Sequence, residues 1–216
     1  MRVLTRALAT LGLAALAGAT SLSAQSAGVG AYRFYVGASG GAMNFETDAQ
    51  SRGVIPMFGA NALITANRTA LLLGADFGLG SGETASMTDP VDGSARLVTF
   101  DGINRYYFMP MAYPLKSHIQ PFIGIGWGIQ ILSNLQVQGS FIDADAQQAN
   151  QSQAEAMGSY GFMQAVGGVE IRVGIVNVFG SLSAATGGNP EDLVGSVFTG
   201  QAGARISLGR AREDID

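Results

Sequence analysis

The 216-residue chain contains no cysteine, one histidine and one tryptophan. Without cysteine there is no disulfide, no thiolate nucleophile and no thiolate metal ligand. His118 is the only imidazole, which excludes a multi-histidine metal site. Its setting, "KSHIQP", offers no acid and no serine arrangement of the kind a catalytic triad requires, and reads as a solvated turn. No catalytic residue, metal or cofactor is therefore expected. Charge is scarce as well: 13% of residues are charged, against about 25% in average soluble chains. The balance is acidic, net −4, so the basic footprint of a nucleic-acid binder is missing. Long apolar runs are missing too, because past Ala24 none approaches the ~18 to 20 residues that a spanning helix needs. Yet 47% of the residues are hydrophobic. Apolar content that high without long runs must be dispersed, and its spacing becomes the question.

The exception is the start. "MRVLTRALATLGLAALAGATSLSAQ" opens with Arg2 and Arg6, continues apolar from Ala7 to Ala19 and closes in small residues. This is the pattern of a cleaved secretory signal peptide. Cleavage is expected near Ala24, with Ala17-Gly18-Ala19 and Ala27 also fitting. Residues 1–24 carry two arginines and no acid, so their removal leaves ten basic and sixteen acidic residues, a net charge of −6. The remainder is expected to comprise a short linker (25–31), one domain (32–210) and a charged tail (211–216).

The stretch "QPFIGIGWGIQIL" shows how the apolar residues are spaced. A dinucleotide-binding turn needs G-x-G-x-x-G ahead of a helix, whereas here the glycines fall strictly two apart and no helical pattern follows. Period two is that of a strand. Ile119, Ile123, Ile125, Trp127, Ile129 and Ile131 share one face; Gln120, Gly124, Gly126, Gly128 and Gln130 share the other. Seven further segments alternate in the same way, at about 32–45, 54–64, 69–80, 96–109, 159–174, 176–186 and 195–209. The connectors alternate as well. They are compact after the second, fourth and sixth segments in chain order, and polar and acidic after the first, third, fifth and seventh ones. The longest, 136–158, is rich in glutamine and reads as a mobile, solvated acidic loop. Its "DADAQQANQSQAE" lacks the central glycine and twelfth-position glutamate of a calcium loop.

Together these features predict an all-β chain: an eight-stranded antiparallel up-and-down transmembrane β-barrel preceded by a cleaved signal peptide. In lipid every backbone polar group must be paired internally, and only a closed sheet has no free edge. Eight strands leave an interior barely wide enough for side chains, so glycine faces belong in the lumen and the isoleucines outside. From Tyr32 to Gly209 the chain resembles, in architecture, the small eight-stranded outer-membrane barrels of the OmpA transmembrane domain, OmpX and OmpW type. Gln201-x-Gly203-x-x-Ile206-x-Leu208 is similar to the C-terminal signal such barrels present to the barrel-assembly machinery. The family usually ends that signal in an aromatic residue, where this chain has Leu208 followed by "RAREDID". The resemblance implies an exported, porin-like, monomeric cell-envelope protein of the Gram-negative outer membrane, in contact with outer-membrane lipid; some small barrels of this class are lipid-modifying enzymes, but without a catalytic constellation around His118 no enzymatic activity is expected here.

Seven charged residues take inward parity: Arg33, Asp76, Asp101, Arg105, Glu170, Arg172 and Arg205. Buried charges persist only when paired and hydrogen-bonded, so they are expected to form a lumen charge network. Asp76 and Asp101 are placed deeper in the barrel, and Arg205 with Glu170 is the expected central pair. Three readings stay open. The network plugs the lumen and the protein has a structural or surface-interaction role, with any ligand held by the long loops. Alternatively it gates a narrow conduit for small or apolar solutes, lined also by Tyr35, Met43, Met57, Tyr107, Phe122 and Phe179. The third, a soluble periplasmic lipocalin-like barrel, would require the glycine-rich face to cover a solvated exterior.

Overall fold

Alternation of bulky and minimal side chains becomes strand throughout the chain. The computed structural model describes residues 32–115, 117–186 and 192–210; the expected signal peptide, linker and charged tail lie outside them. Along the chain run β1 (Arg33–Phe45), β2 (Gly53–Ala66), β3 (Thr69–Thr88), β4 (Ala95–Ala112), β5 (Ile119–Ser133), β6 (Gln136–Val137), α1 (Ala144–Met157), β7 (Ser159–Val173), β8 (Val176–Thr186) and β9 (Val197–Arg210). Each long strand pairs antiparallel with the next, and β9 returns to β1 from Val197↔Phe45 to Arg210↔Arg33. The result is a closed eight-stranded antiparallel barrel. The two-residue β6 pairs with β4 alone, at Val98 and Thr99.

Compact turns gather at one end. Asn67, at φ 55°, helps close the β2–β3 turn, and Gly174, at φ 62°, the β7–β8 turn; a tight hairpin needs positive φ at its tip. The other end carries the long connections and α1.

The side-chain alternation is that expected from the sequence except in the first part of β4, where Val98 and Phe100, expected on the outer face, are fully buried. Ile125 is 55% exposed and Trp127 is 42% exposed on the outside of β5. Apolar neighbours continue this outward surface around the ring: Phe108 on β4, Leu73 on β3, Val36 on β1, Ile206 on β9 and Leu182 on β8. The inward glycines are where large side chains from adjacent strands lie. A Cβ on Gly126 would stand 2.7 Å from Phe108 O and 2.9 Å from Met109 Cβ, and one on Gly128 2.7 Å from Phe162 Cζ. Gly74 makes the same room for Tyr107, Gly168 for Phe122 and Gly53 for Phe45. The barrel interior is thus a packed core, with Met43, Ile55, Leu63, Ile103 and Met109 fully buried within it.

Two expectations are corrected at the long-connection end. The segment 81–94, read as a polar loop, is largely strand: Glu83–Thr88 pairs with Ala95–Phe100. Ala85, Met87, Val98 and Phe100 point inward there, while the outward positions Thr84, Ser86 and Thr99 are polar. The alternation is intact, but a polar outer face hid it. The segment 136–158, read as a mobile loop, contains α1. Asp143 caps the helix by accepting from Ala146 N at 2.8 Å, and Ala146, Asn150 and Ala154, four apart, form its buried face.

Gly128→Ala is expected to lower stability by roughly 1 to 3 kcal/mol through overpacking. Gly180→Ala, on the outer face with nothing within 4 Å of an added Cβ, should be neutral or slightly stabilising. The urea midpoint for loss of the heat-modifiable folded band on gels checks both.

Candidate functional site in the barrel lumen

Six of the seven predicted lumen charges take inward positions. Glu170 on β7 is fully buried and accepts from Arg205 Nη1 at 2.9 Å, Asn177 Nδ2 at 2.9 Å, Arg172 Nε at 3.2 Å and Tyr113 OH at 3.4 Å. The ladder explains the cluster, because Asn177 on β8 lies opposite Arg172 of β7 on one side and Arg205 of β9 on the other. Arg205 also donates Nε to Asn61 Oδ1 at 2.7 Å, and its guanidinium lies 3.8 Å from the centroid of Phe179. The space it occupies is set by Gly37, whose Cβ would fall 2.6 Å from Arg205 Cγ.

Arg105 forms a second, deeper node. Its Nη2 donates to Gln164 Oε1 at 2.9 Å and its Nη1 to Thr199 Oγ1 at 3.3 Å, with the guanidinium 4.1 Å from the centroid of Phe162. Asp76 is its partner residue in the β3–β4 ladder. No ion pair joins them; Asp76 accepts from Tyr107 OH at 3.5 Å. Arg105 Nε has no hydrogen-bond partner. Charge therefore enters the middle of the barrel without direct pairing, held by neutral acceptors and ring faces. Arg33 stands half-buried at the short-turn mouth, opposite Thr65 and Arg210.

Asp101 is the exception and a correction: it is exposed, accepting from Gly82 N at 3.2 Å and Asn134 Nδ2 at 3.1 Å. Between the pairs Leu79↔Gly102 and Glu83↔Phe100, β3 carries Gly80, Ser81 and Gly82 where β4 carries only Asp101. A bulge of this kind shifts parity, and a shift of parity moves side chains to the opposite face. The partners Asn61, Asn177, Gln164 and Thr199 all have inward parity in the sequence, yet nothing there singles them out. Tyr113 sits in a turn, where period two gives no direction.

At the long-connection end a further cluster docks α1. Asp89 accepts from Arg96 Nε at 2.8 Å and Val91 N at 2.7 Å, and from the buried Asn150 of α1. Arg96 reaches Asp92 at 3.2 Å and Ser140 O at 3.0 Å, and Gln153 of α1 donates to Thr88 O at 3.3 Å. Burial pushes the Asp89 carboxyl up, but these hydrogen bonds outweigh it and hold the group down to about 2.

No family model and no curated protein sequence matches the chain. Among solved structures it is similar to the crystal structure of Neisserial surface protein A (NspA), with a TM-score of 0.55 and 10% identity over 80% of this chain and 96% of that one. The chain has the fold of a small eight-stranded outer-membrane barrel. A second similarity, to the outer membrane protein OprG from Pseudomonas aeruginosa, has a TM-score of 0.36 and 11% identity over 83% of this chain and 93% of that one, a level that carries no argument. At 10% identity the likeness to NspA is one of fold, and the residues of this barrel's lumen stand on their own geometry.

Removing one partner of the Glu170–Arg205 pair leaves a buried charge uncompensated. Glu170→Gln or Arg205→Met alone should therefore cost roughly 3 to 5 kcal/mol, and the double variant far less than the sum; a urea double-mutant cycle reads the coupling. At the α1 dock the folded-state pKa of Asp89, about 2, lies below its ordinary 3.8. Its stabilisation is then complete above about pH 4 and is lost as pH falls towards 2. Hydrogen exchange in α1 should quicken over that window in the parent, and the window should vanish in Asp89→Asn.

Proposed function

We propose that the protein is a monomeric outer-membrane barrel with a plugged lumen, acting as a structural or surface-interaction element of the cell envelope. The observation that carries this reading is the inversion of the usual soluble pattern. The outer wall bears Ile123, Ile125, Trp127 and Leu182 in the open, while Arg105 and Glu170, both at 0% exposure, lie inside. A continuous apolar exterior of this kind is stable only against hydrocarbon, and the closed ladder leaves no backbone edge for lipid to meet. Plugging is supported by the interlocking of Met43, Met109, Tyr107, Phe122, Phe162 and Phe179 with the lumen glycines. Their sealing of the interior favours a surface role over transport. The long-connection end, with α1 docked across it, is the part offered to the exterior; NspA, which shares the fold, is named a surface protein.

In this reading β9 is the strand presented to the barrel-assembly machinery. Ile206 and Leu208 lie exposed on the outer face, and Gln201 and Gly203 face inward. The charged tail after Leu208 would follow the recognised segment rather than form part of it.

Ile125→Arg should lower stability in lipid vesicles by ~2 to 4 kcal/mol if Ile125 stands near the midplane. Ile142→Arg, at an 80% exposed site beyond the wall, should be tolerated. Equal tolerance at both sites would remove the lipid-facing assignment. In planar bilayers the plugged barrel should show no sustained single-channel current; regular conductance steps would transfer the lumen to the conduit reading.

A further inference from the structure

Charge is distributed along the barrel axis in one direction. Among the described residues every carboxylate outside the lumen lies at the long-connection end, Asp48, Asp101 and Asp145 among them. The short-turn end has the opposite character. Arg68 is exposed in the β2–β3 turn, Arg33 is half-buried at the start of β1, the Arg172 side chain keeps 27% exposure, and His118 is exposed ahead of β5. Glu170 is the only carboxylate near this rim among the described residues. It is fully buried and already engaged by four donors. Neither Arg33 nor Arg68 has an ion-pair partner among the described residues.

A second observation is the depth at which this rim stands. The apolar residues beside the rim, Tyr32, Ile119, Val173, Ile175 and Leu208, are all exposed on the outer wall. They set the rim at the edge of the apolar surface, which is the depth of lipid phosphates.

We infer that the short-turn rim binds the headgroups of anionic phospholipids, Arg33 and Arg68 receiving the phosphodiester from the adjoining leaflet. This inference rests on the barrel-in-lipid reading. It gives the barrel a fixed polarity in the membrane, with a basic rim held to anionic lipid at one end and acidic connections kept in water at the other. The effect expected near an anionic surface is up to ~5-fold in lipid association for each basic residue, and it is screened by salt.

The test uses the folded barrel in phosphatidylcholine vesicles with trace spin-labelled phosphatidylglycerol or phosphatidylcholine, followed by electron spin resonance. A motionally restricted lipid component with either label reports that the barrel is in the bilayer; its complete absence would contradict that reading and not only the lipid preference. With the restricted component present, the parent should bind labelled phosphatidylglycerol in preference to phosphatidylcholine, and the preference should fall in high salt. The Arg33→Gln/Arg68→Gln double variant should lose the preference, whereas Arg52→Gln, at the opposite end, should keep it. Heat-modifiable migration confirms that each variant is folded. A parent without preference, or a preference unchanged in the double variant, would overturn the inference.

Discussion

Everything in this molecule depends on the hydrogen bonds between its first and last strands. The β1–β9 ladder turns an open sheet with two free edges into a ring with none. Once the ring closes, every residue must face in or out. The inside of an eight-stranded ring is small, which forces a division of the side chains: whatever is bulky on one strand must meet something minimal on its neighbour. Gly37 beneath Arg205, Gly203 against Phe179 and Gly168 against Phe122 are that division in the lumen. The outer wall has no such limit and carries the isoleucines and the tryptophan.

The lumen charges follow from the same geometry. A carboxylate inside a packed ring is tolerable only if its donors converge on it, and Glu170 receives four from three strands and a turn. Arg105 is held differently, by two neutral acceptors and the face of Phe162. The barrel thus has a tightly paired node near the short turns and a loosely paired one in the middle. Beyond them, Phe45, Phe100 and Val98 belong to the apolar core together with Ala154 of α1. The buried interior thus changes in polarity along the barrel, from ion-paired at the short turns to apolar at the long connections.

Much of this is legible in the amino-acid order where each step of alternation contrasts sharply. Ile119 to Ile131 reads as one strand with two assigned faces because glycine and isoleucine could hardly differ more. The Arg205–Glu170 pair follows from parity and distance to the strand ends. Legibility fails where the physics leaves no contrast. The distal β3–β4 hairpin has polar residues on its outer face, so only half its alternation is visible. The buried stripe of α1 consists of two alanines and an asparagine, indistinguishable by composition from a solvated loop. Asp101 is misread because a bulge changes parity, and only the glycines Gly80 and Gly82 hint at it.

The central claim is that the apolar face of the wall lies in hydrocarbon, and the single tryptophan allows it to be tested directly. Trp127 stands on the outer face of β5, its ring centroid 5.7 Å from that of Phe108. Its fluorescence should be quenched in vesicles whose lipids carry bromine on the acyl chains, and should be insensitive to iodide in the surrounding water. Quenching by iodide with no response to brominated chains would place this face in water and contradict the account.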